Sequence, residues 1–504
     1  MKIIIVLVVF LMSFTCSSLV AQVFPHDGDA LHYRLIGFSF PKQEKATRYT
    51  LEIFEYHTEK DGSTETKKLL EKTDTINRII ATVPSFDKKY MWRVKYLKKN
   101  RVIHTTRYYY FSTKPNPFSD TSVTRVVILD SASLYKDMLV FFDNTRTLYD
   151  MNGQAVWFLP EIAGATNNQI TGIRDLKMTG EGTITFLTDN NVFEIDYHGN
   201  VLWRGPNDGT VSGDSIERYH HQFDKLPDGH YMAAGISFAM RKIPDYVDTN
   251  VYKGRNTEIR NDGPYTLINC GTLIEYDSTG KVVWSWNTCD HLADADIFTP
   301  GGDNQIHPAT HMNGFWLDKE KGIVYTSHRN ISRIIKAEYP SGKTIAHYGE
   351  DYTHDGRILG DGLFYSQHNC RLGKDGNLYL FNNNVRLRSA KGEDHTGVST
   401  VLILKEPENR QQQPEKVWKF ACNIDAQAKP LSVGGGGVQE LSGGELLVCM
   451  GASHRNFIVT RDKKIAWNVL SEIKTQEGAW MPSGGYRVSA VEAKDIRKLL
   501  FPGK

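Results

Sequence analysis

The sequence has almost no excess of charge of either sign. Its 504 residues include 60 lysines and arginines and 58 aspartates and glutamates, which gives a formal net charge of +2. A protein that binds nucleic acid or an anionic membrane surface mainly by charge needs a basic surplus. We therefore expect no nucleic acid partner, and no membrane partner for the mature form.

Long apolar runs are also scarce, and the single one stands at the N-terminus. Lys2 is followed by IIIVLVVFLM and then by small and polar residues up to Ala21. This order is typical of a signal peptide, so we predict one over 1–21 and a periplasmic or secreted mature protein. An uncleaved anchor is the alternative, but the run is short for a membrane span. Cys16 would suit a lipoprotein, although Phe14 and Thr15 fit a lipobox poorly.

Only six cysteines are present, and their spacings match no zinc motif. Cys270 and Cys289 flank a predicted hairpin and could form a disulfide in an exported protein. The chain contains no G-x-S-x-G, H-E-x-x-H or EF-hand pattern, and the glycine run 434–437 lacks the lysine of a phosphate loop. We expect neither a metal nor a cofactor.

Helical periodicity of any length is missing, so we predict an all-β protein with two regions. Residues 25–118 contain runs rich in β-branched and aromatic residues, such as TRYTLEIFEYH and KYMWRVKYL. They predict an N-terminal β-sandwich, and the following KPNPFSD stretch, with two prolines, reads as a linker.

From about residue 123 the chain repeats. Hairpins ending in tryptophan recur at Tyr149–Trp157, Ile195–Trp203 and Tyr276–Trp284, and three looser copies follow. A strand–turn–strand segment precedes each hairpin; for the first it is LYKDMLVFFDN, from Leu134. Four strands per repeat and six repeats predict a six-bladed β-propeller over 123–490.

Three histidines occupy one position of the repeat. His221, His311 and His368 each lie seven residues before an aspartate that opens the turn between the first two strands. Innermost strands line the central channel of a propeller, so the three imidazoles should converge there. A packing role is the plainer explanation, but the sixth repeat has Gly436 at this position and the first two lack a histidine.

Further polar residues stand beside these histidines in the sequence. Arg329 follows the second strand of the fourth repeat, and either lines the channel or forms a surface ion pair. We predict that the other neighbours bind substrate, while turn-capping and core roles stay open for them; they are His220, Asn313, Tyr365 and Asn369.

The motifs, taken in order, resemble those of the bacterial aryl-sulfate sulfotransferases that work without a nucleotide sulfate donor. They are HHQFDKLPDGH, VVWSWNTCDHL, HMNGFWLDKEKGIVYTSHRNISRIIK, GKTIAHYGE, FYSQHNCRLGKDGNLYLFNNN and GGGVQELSGGELLV. The resemblance implies a periplasmic six-bladed propeller that moves a sulfuryl group from an aryl sulfate donor to a phenolic acceptor through a sulfated histidine.

Residue by residue, the resemblance implies that His368 is the nucleophile. It also implies that His221 and His311 assist this nucleophile and that Arg329 is the cation that binds the sulfuryl oxygens. The chain departs from the family pattern at Asn369, His328 and Cys289.

Two other functions stay open from the sequence alone. Three converging imidazoles could hold Zn²⁺ or Mn²⁺ in a metal-dependent hydrolase or lyase, although an adjacent arginine disfavours a cation site. The propeller could also be a non-catalytic ligand-binding module. The sequence does not determine the oligomeric state, and a homodimer is one of the alternatives.

Overall fold

The structure is a computed structural model that describes residues 23–117, 124–130, 135–165, 172–252, 256–298, 310–355, 357–389, 392–394, 397–407, 413–426 and 428–502. The chain divides into two compact units, Met1–Lys114 and Pro115–Lys504. The predicted signal peptide, 1–21, lies outside the described residues. Among the described residues, no helix is long and apolar enough to cross a membrane.

The first unit consists of strands. They are β1 (Asp29–Leu31), β2 (Leu35–Ser39), β3 (Arg48–Thr58), β4 (Thr64–Asp74), β5 (Arg78–Thr82), β6 (Lys89–Lys98), β7 (Arg101–Thr105) and β8 (Tyr109–Thr113). One sheet has the order β1-β8-β6-β3-β4 with β7 also on β6, and β2 pairs with β5 in a second sheet. Phe38 of the small sheet packs on the buried Trp92 of the large one, with ring centroids 5.2 Å apart, so apolar faces join the two sheets.

The second unit begins with a strand that pairs with the last sheet of the unit, and continues with strands of its first two sheets. These are β9 (Thr124–Asp130), β10 (Leu139–Phe142), β11 (Thr147–Asp150), β12 (Ala155–Phe158), β13 (Arg174–Met178), β14 (Ile184–Leu187), β15 (Val192–Ile195) and β16 (Val201–Arg204). The third and fourth sheets use β17 (Tyr219–Lys225), β18 (Tyr231–Lys242), β19 (Thr257–Arg260), β20 (Gly263–Tyr276), β21 (Val282–Asn287), β22 (Met312–Asp318), β23 (Ile323–His328), β24 (Arg333–Glu338), β25 (Thr344–Tyr352) and β26 (Ile358–Gly360).

The remaining strands form the last two sheets and a small hairpin, except for the final strand, which belongs to the first sheet. They are β27 (His368–Leu372), β28 (Leu378–Asn382), β29 (Arg386–Ser389), β30 (Gly392–Asp394), β31 (Thr400–Lys405), β32 (Glu415–Ala421), β33 (Gly437–Glu440), β34 (Leu446–Cys449), β35 (Arg455–Val459), β36 (Ile465–Lys474), β37 (Trp480–Pro482) and β38 (Val488–Val491). The described residues include two short α-helices, α1 (Asp294–Phe298) and α2 (Ala493–Leu500).

These strands form successive antiparallel meanders. In chain order the sheets are β12-β11-β10-β38, β13-β14-β15-β16, β17-β18-β20 with β21, β22-β23-β24-β25, β27-β28-β31-β32 and β33-β34-β35-β36. Each places four strands side by side, as propeller blades do. The all-β propeller predicted from the repeats is confirmed, and apolar layers such as Phe381, Val401 and Phe457 fill the space between neighbouring sheets.

The first sheet differs from the predicted repeat. We expected both of its inner strands from the segment starting at Leu134, but that segment supplies only Leu139–Phe142. Its partner is the C-terminal strand, in which Val488 faces Phe142 and Val491 faces Leu139. The two ends of the unit are thereby joined in one sheet, a long-range pairing that local sequence does not encode.

Side-chain amides and carboxylates tie each inner strand to the next sheet. Asn313 donates to the Gln367 carbonyl at 2.7 Å, and Asn369 accepts from the Val438 N–H at 2.9 Å. The other ties of this kind run from Asp143 to the Asp175 N–H, Asp175 to the Phe223 N–H, Gln222 to the Phe315 backbone and Gln439 to the Ala490 N–H. Together they connect all six sheets near the channel.

A disulfide joins strand β20 to the segment that follows its partner strand β21. Strands β18 and β20 extend beyond the other strands of the third sheet, and Cys270 on β20 is bonded to Cys289. The pairing suggested by the sequence is therefore present. The other cysteines of the described region, Cys370, Cys422 and Cys449, are buried thiols.

Candidate functional site

A cavity of about 630 Å³ opens where the inner strands of the second unit begin. Every sheet contributes a lining residue at or within two positions of the start of its inner strand. In chain order of the sheets these are Tyr486, Arg174, His221, His311, His368 and Gly435. The three predicted histidines therefore meet in one cavity. A Cβ at Gly435 would lie 3.3 Å from the Gly451 Cα and 3.6 Å from the ring of Tyr486.

Backbone irregularities direct these side chains. His221 has φ 68° and His311 φ 54°, in the left-handed region that non-glycine residues seldom adopt. The inner strand of each histidine-bearing sheet also shifts register next to the histidine, for example between His368 and Arg371. Such bulges re-aim side chains at functional sites, here toward the cavity.

His368 is held by an amide that fixes its tautomer. Its Nδ1 lies 2.7 Å from Asn383 Oδ1. The Asn383 Nδ2 donates to the carbonyls of Ser432 and Gly435, at 2.9 and 3.0 Å, which settles which end of the amide faces the imidazole. Since Oδ1 can only accept, His368 carries its proton on Nδ1 and its lone pair on Nε2.

The other imidazoles form a directed chain. His220 Nε2 donates to the Gly235 carbonyl at 2.9 Å, so its Nδ1 accepts, at 2.7 Å, from His221 Nδ1. His221 Nε2 is then an acceptor, and His311 Nε2 donates to it at 3.2 Å. The assignment holds for neutral rings, because each neutral imidazole has one donor and one acceptor nitrogen.

The electrostatics of the cavity keep the rings neutral. Burial, with the nearby Arg329 charge, lowers the pKa of His368 to about 3. Burial lowers the pKa of His220 to about 4 and, with neighbouring imidazoles, holds the pKa of His221 well below its usual range. The pKa of His311 is likewise far below normal, from burial and from Arg329. At neutral pH all four rings are therefore uncharged, and each has one nitrogen with a lone pair.

Arg329 places a positive charge in the cavity next to His311. Its backbone N–H donates to the His311 carbonyl at 3.0 Å, which places it next to that histidine. Its guanidinium donates to Asn330 Oδ1 and to the Val433 carbonyl, at 3.1 and 3.2 Å. A guanidinium held in this way presents a fixed positive charge to a bound anion.

Three residues predicted to bind substrate lie outside the cavity lining. Asn313 and Asn369 are buried and serve as the ties between sheets described above. The Tyr365 hydroxyl is bonded to Arg386, whose guanidinium lies 4.3 Å from the ring centroid. Their contacts give each of them a structural role, and their binding of substrate stays a prediction. His220, in contrast, lines the cavity.

The sequence reasoning missed Asn383, Tyr486 and Arg174. Tyr486 lies 4.8 Å from His221 between ring centroids, and burial raises the pKa of its phenol to about 12, so the hydroxyl keeps its proton. Comparison of the repeats at the histidine position would have found Arg174. Tyr486 belongs to the unpredicted closing strand, and nothing in the local sequence links Asn383 to a histidine 15 positions away.

The three cavity histidines do not form a compact ligand set. Within the described residues, the group of three ligand atoms close enough for a metal is Asp228, His230 and Glu275. There the Lys319 ammonium already lies 2.5 Å from Asp228 and 2.6 Å from Glu275. The arrangement is an ion-pair network outside the cavity lining, so the metal alternative has no geometric support here.

Comparison with known protein families assigns the chain to one of them. The family model described as arylsulfotransferase (ASST) matches residues 124–481, which is more than half of the chain. The chain belongs to the arylsulfotransferase family. Members of this family are transferases that act on small aryl donors and acceptors, and this coarse assignment applies to the chain.

Other comparisons add fold likenesses only. No curated protein matches the chain. A protein of unknown function from Bacteroides caccae is 12% identical, covers 70% of this chain and 98% of its own, and has a TM-score of 0.40. The β-propeller domain of Cps50 (Swd1) from Myceliophteria thermophila is 11% identical, with 74% and 99% coverage and a TM-score of 0.36. Virginiamycin B lyase from Staphylococcus aureus, as an inactive variant with quinupristin, is 11% identical, with 68% and 88% coverage and a TM-score of 0.29.

Proposed function

We propose that the protein moves a sulfuryl group from a phenolic sulfate ester to a second phenol by a ping-pong mechanism through a sulfated His368. The observation that carries the proposal is the state of this side chain. It is a neutral imidazole with its proton held on Nδ1 by Asn383, at the wall of a cavity that it shares with Arg329. A nucleophile with an orienting partner suits covalent catalysis.

In the first half-reaction, His368 Nε2 attacks the sulfur of the donor. The N–S bond forms as the S–O bond to the aryl group breaks, and the electron pair leaves with the phenolate oxygen. Arg329 offsets the negative charge of the sulfuryl oxygens in the transition state. Asn383 accepts from Nδ1 more strongly as the ring gains positive charge on sulfation.

In the second half-reaction, the acceptor phenol takes the sulfuryl group. Its oxygen attacks sulfur, the N–S bond breaks, and the electron pair returns to His368 Nε2. The phenol proton passes to the His221–His311 pair, whose depressed pKa values leave both rings neutral beforehand. The proton then passes from the pair to solvent, so both rings are neutral again when the next donor binds.

We further propose that the mature protein works in the periplasm or outside the cell. The Cys270–Cys289 disulfide supports this, since such bonds persist in oxidising compartments. The predicted signal peptide is the route to that compartment.

Intact-mass measurement after incubation with p-nitrophenyl sulfate alone tests the mechanism. We expect a gain of one sulfuryl group together with release of p-nitrophenol, and transfer of the group when a phenol is then added. His368→Asn should abolish the gain. His347→Asn, a matched change at a half-exposed histidine 3.0 Å from Asp351, should not. A mass gain that persists in His368→Asn would refute the assignment of the nucleophile.

A further inference from the structure

The cavity lining contains two arginines besides the one next to the nucleophile. Its charged lining residues are the arginines at 174, 218 and 329 and a single aspartate, Asp189. The histidines are neutral, so the lining residues by themselves carry two positive charges in excess, and Asp214, which pairs with Arg218 from outside the lining, lowers this excess to one. An aryl sulfate monoester brings one negative charge, and Arg329 beside the nucleophile is placed to receive it.

The other two arginines lie on a different side of the cavity. Arg174 begins the inner strand of the second sheet, and Arg218 directly precedes that of the third. Arg174 pairs with Leu187 in the second sheet, and the carbonyl of Asp189, two residues further on, accepts from the Tyr219 N–H at 2.9 Å, so the two arginines stand on neighbouring segments. His368 and Arg329 belong to the fifth and fourth sheets. A substrate that spans the cavity from His368 would reach Arg174 and Arg218 with its far end.

Both arginines keep donor capacity for a ligand. Arg174 is ion-paired through Nη1 to Asp189, whose side chain is 66% exposed and can turn toward solvent. Arg218 uses Nε and Nη2 on one oxygen of Asp214, at 3.1 and 2.9 Å. A guanidinium has five N–H donors, and it binds carboxylates in a forked geometry that a single aspartate oxygen does not fill.

We propose that Arg174 and Arg218 form a subsite for a second anionic group, a carboxylate, on the aromatic ring of the substrate. This inference rests on the proposed function and narrows its substrate class to aryl sulfates and phenols that carry a carboxylate across the ring from the reacting oxygen. Neutral phenols enter the same cavity without this contact.

The test compares two donors with the same sulfate ester, phenyl sulfate and 4-carboxyphenyl sulfate. In the wild type we expect a higher kcat/KM for the carboxylated donor than for phenyl sulfate. Arg174→Gln and Arg218→Gln should each lower the ratio of the two kcat/KM values about five- to tenfold, because each removes a partly exposed, charge-assisted hydrogen bond to the carboxylate. Added salt should reduce the preference as well. Arg357→Gln is the matched control, because Arg357 pairs with Asp355 on an exposed turn outside the cavity.

Two results would overturn the subsite. One is equal use of the two donors by the wild type, and the other is a preference that survives both glutamine variants. If neither donor releases phenol in any variant, the proposed function fails instead. Calorimetric binding of the same two sulfates to the wild type and Arg174→Gln then decides the subsite: tighter binding of the carboxylated ester, lost in the variant, supports it, and equal binding refutes it.

Discussion

The reactivity of His368 depends on a neighbour that is distant in the sequence. Asn383 accepts the Nδ1 proton, and two backbone carbonyls hold the amide so that it cannot turn over. Without that acceptor the imidazole could place its proton on Nε2 and lose the lone pair that attacks sulfur. Asn383 is thus a positioning residue, which acts through His368.

We expect Asn383→Leu to lower kcat for p-nitrophenyl sulfate about 10- to 100-fold, as when an orienting partner of a functional histidine is lost. Asn383→Asp keeps an acceptor and should retain more activity. Its carboxylate also favours the protonated imidazole and should introduce a loss of activity at acid pH. Equal losses in the two variants, with unchanged pH profiles, would contradict the positioning role.

The depressed pKa of His368 predicts an unusual pH–rate profile. With a pKa of about 3 the nucleophile stays unprotonated throughout the mildly acidic range. We expect kcat/KM to stay nearly constant between pH 8 and pH 5, whereas a histidine titrating at 6.5 would lose about thirtyfold by pH 5. Arg329→Met removes a charge that holds the pKa down, so its profile should bend at a higher pH than that of the wild type.

At the scale of single strands, the bulged starts of the inner strands serve two purposes. They turn side chains into the cavity, and they place the next polar residue against the following sheet. His368 and Asn369 illustrate the division: the first lines the cavity and the second bonds to Val438 of the last sheet.

Asn369→Gly separates these two purposes, because glycine keeps the positive φ of 58° and removes only the amide. The buried Val438 N–H then loses its partner, and we expect the free energy of unfolding to fall by about 1–3 kcal/mol. The KM for p-nitrophenyl sulfate should stay within about twofold of the wild-type value, because a residue that only joins two sheets makes no contact with the substrate. Asn152→Gly, in an exposed turn, is the control for stability. A large rise in KM would instead support the predicted substrate contact.

The disulfide acts on one hairpin. It closes a loop of 19 residues, and the chain-entropy relation gives about 3 kcal/mol of stabilisation for a loop of this size. Replacing Cys270 and Cys289 together by serine should lower the free energy of unfolding in denaturant by about that amount, while turnover at 20 °C persists. Cys422→Ala, which removes a buried free thiol, controls for cysteine replacement itself. An unchanged unfolding midpoint in the double variant would contradict the estimate.

For the whole molecule, buried histidines link stability to pH. Besides the four rings in the cavity, burial lowers the pKa of His328 to about 3. Below pH 6.5 the unfolded chain protonates these five histidines while the folded protein does not, so folding becomes less favourable as pH falls. Three carboxyl groups have the opposite effect on stability, because burial raises their pKa. The pKa is raised to about 7 for Asp143 and for Glu350, and it is also raised for Asp361.

The five buried histidines outnumber these carboxyls by two, and the more exposed His291 and His454, whose pKa burial also lowers, add a smaller contribution of the same sign. Each uncompensated buried group contributes up to about 1.4 kcal/mol per pH unit, so we expect the free energy of unfolding to fall by about 2–3 kcal/mol per unit between pH 6.5 and 5. Denaturant unfolding at pH 7.5, 6.5 and 5 measures the slope. A stability that rises over this range would show that the carboxyls dominate.

The repeat pattern determined much of the fold and half of the cavity. Alternating strands, glycine turns and tryptophans recur at fixed spacing, so the blades and the shared position of His221, His311 and His368 could be read directly from the chain. Local patterns suffice there, because a hairpin's register depends on residues within a few positions of each other.

Only the tertiary structure decided the remainder. The first sheet pairs residues about 350 positions apart, and this pairing brings Tyr486 to the cavity. No short sequence motif predicts the pairing. The protonation of His368 depends on burial and on an amide from the neighbouring strand. Asn313 and Asn369 stand at bulges and bond to the next sheet, a contact that the local sequence does not show, and their binding of substrate stays a prediction. Composition and spacing gave the histidines a common position, while burial and long-range contacts gave them their chemistry.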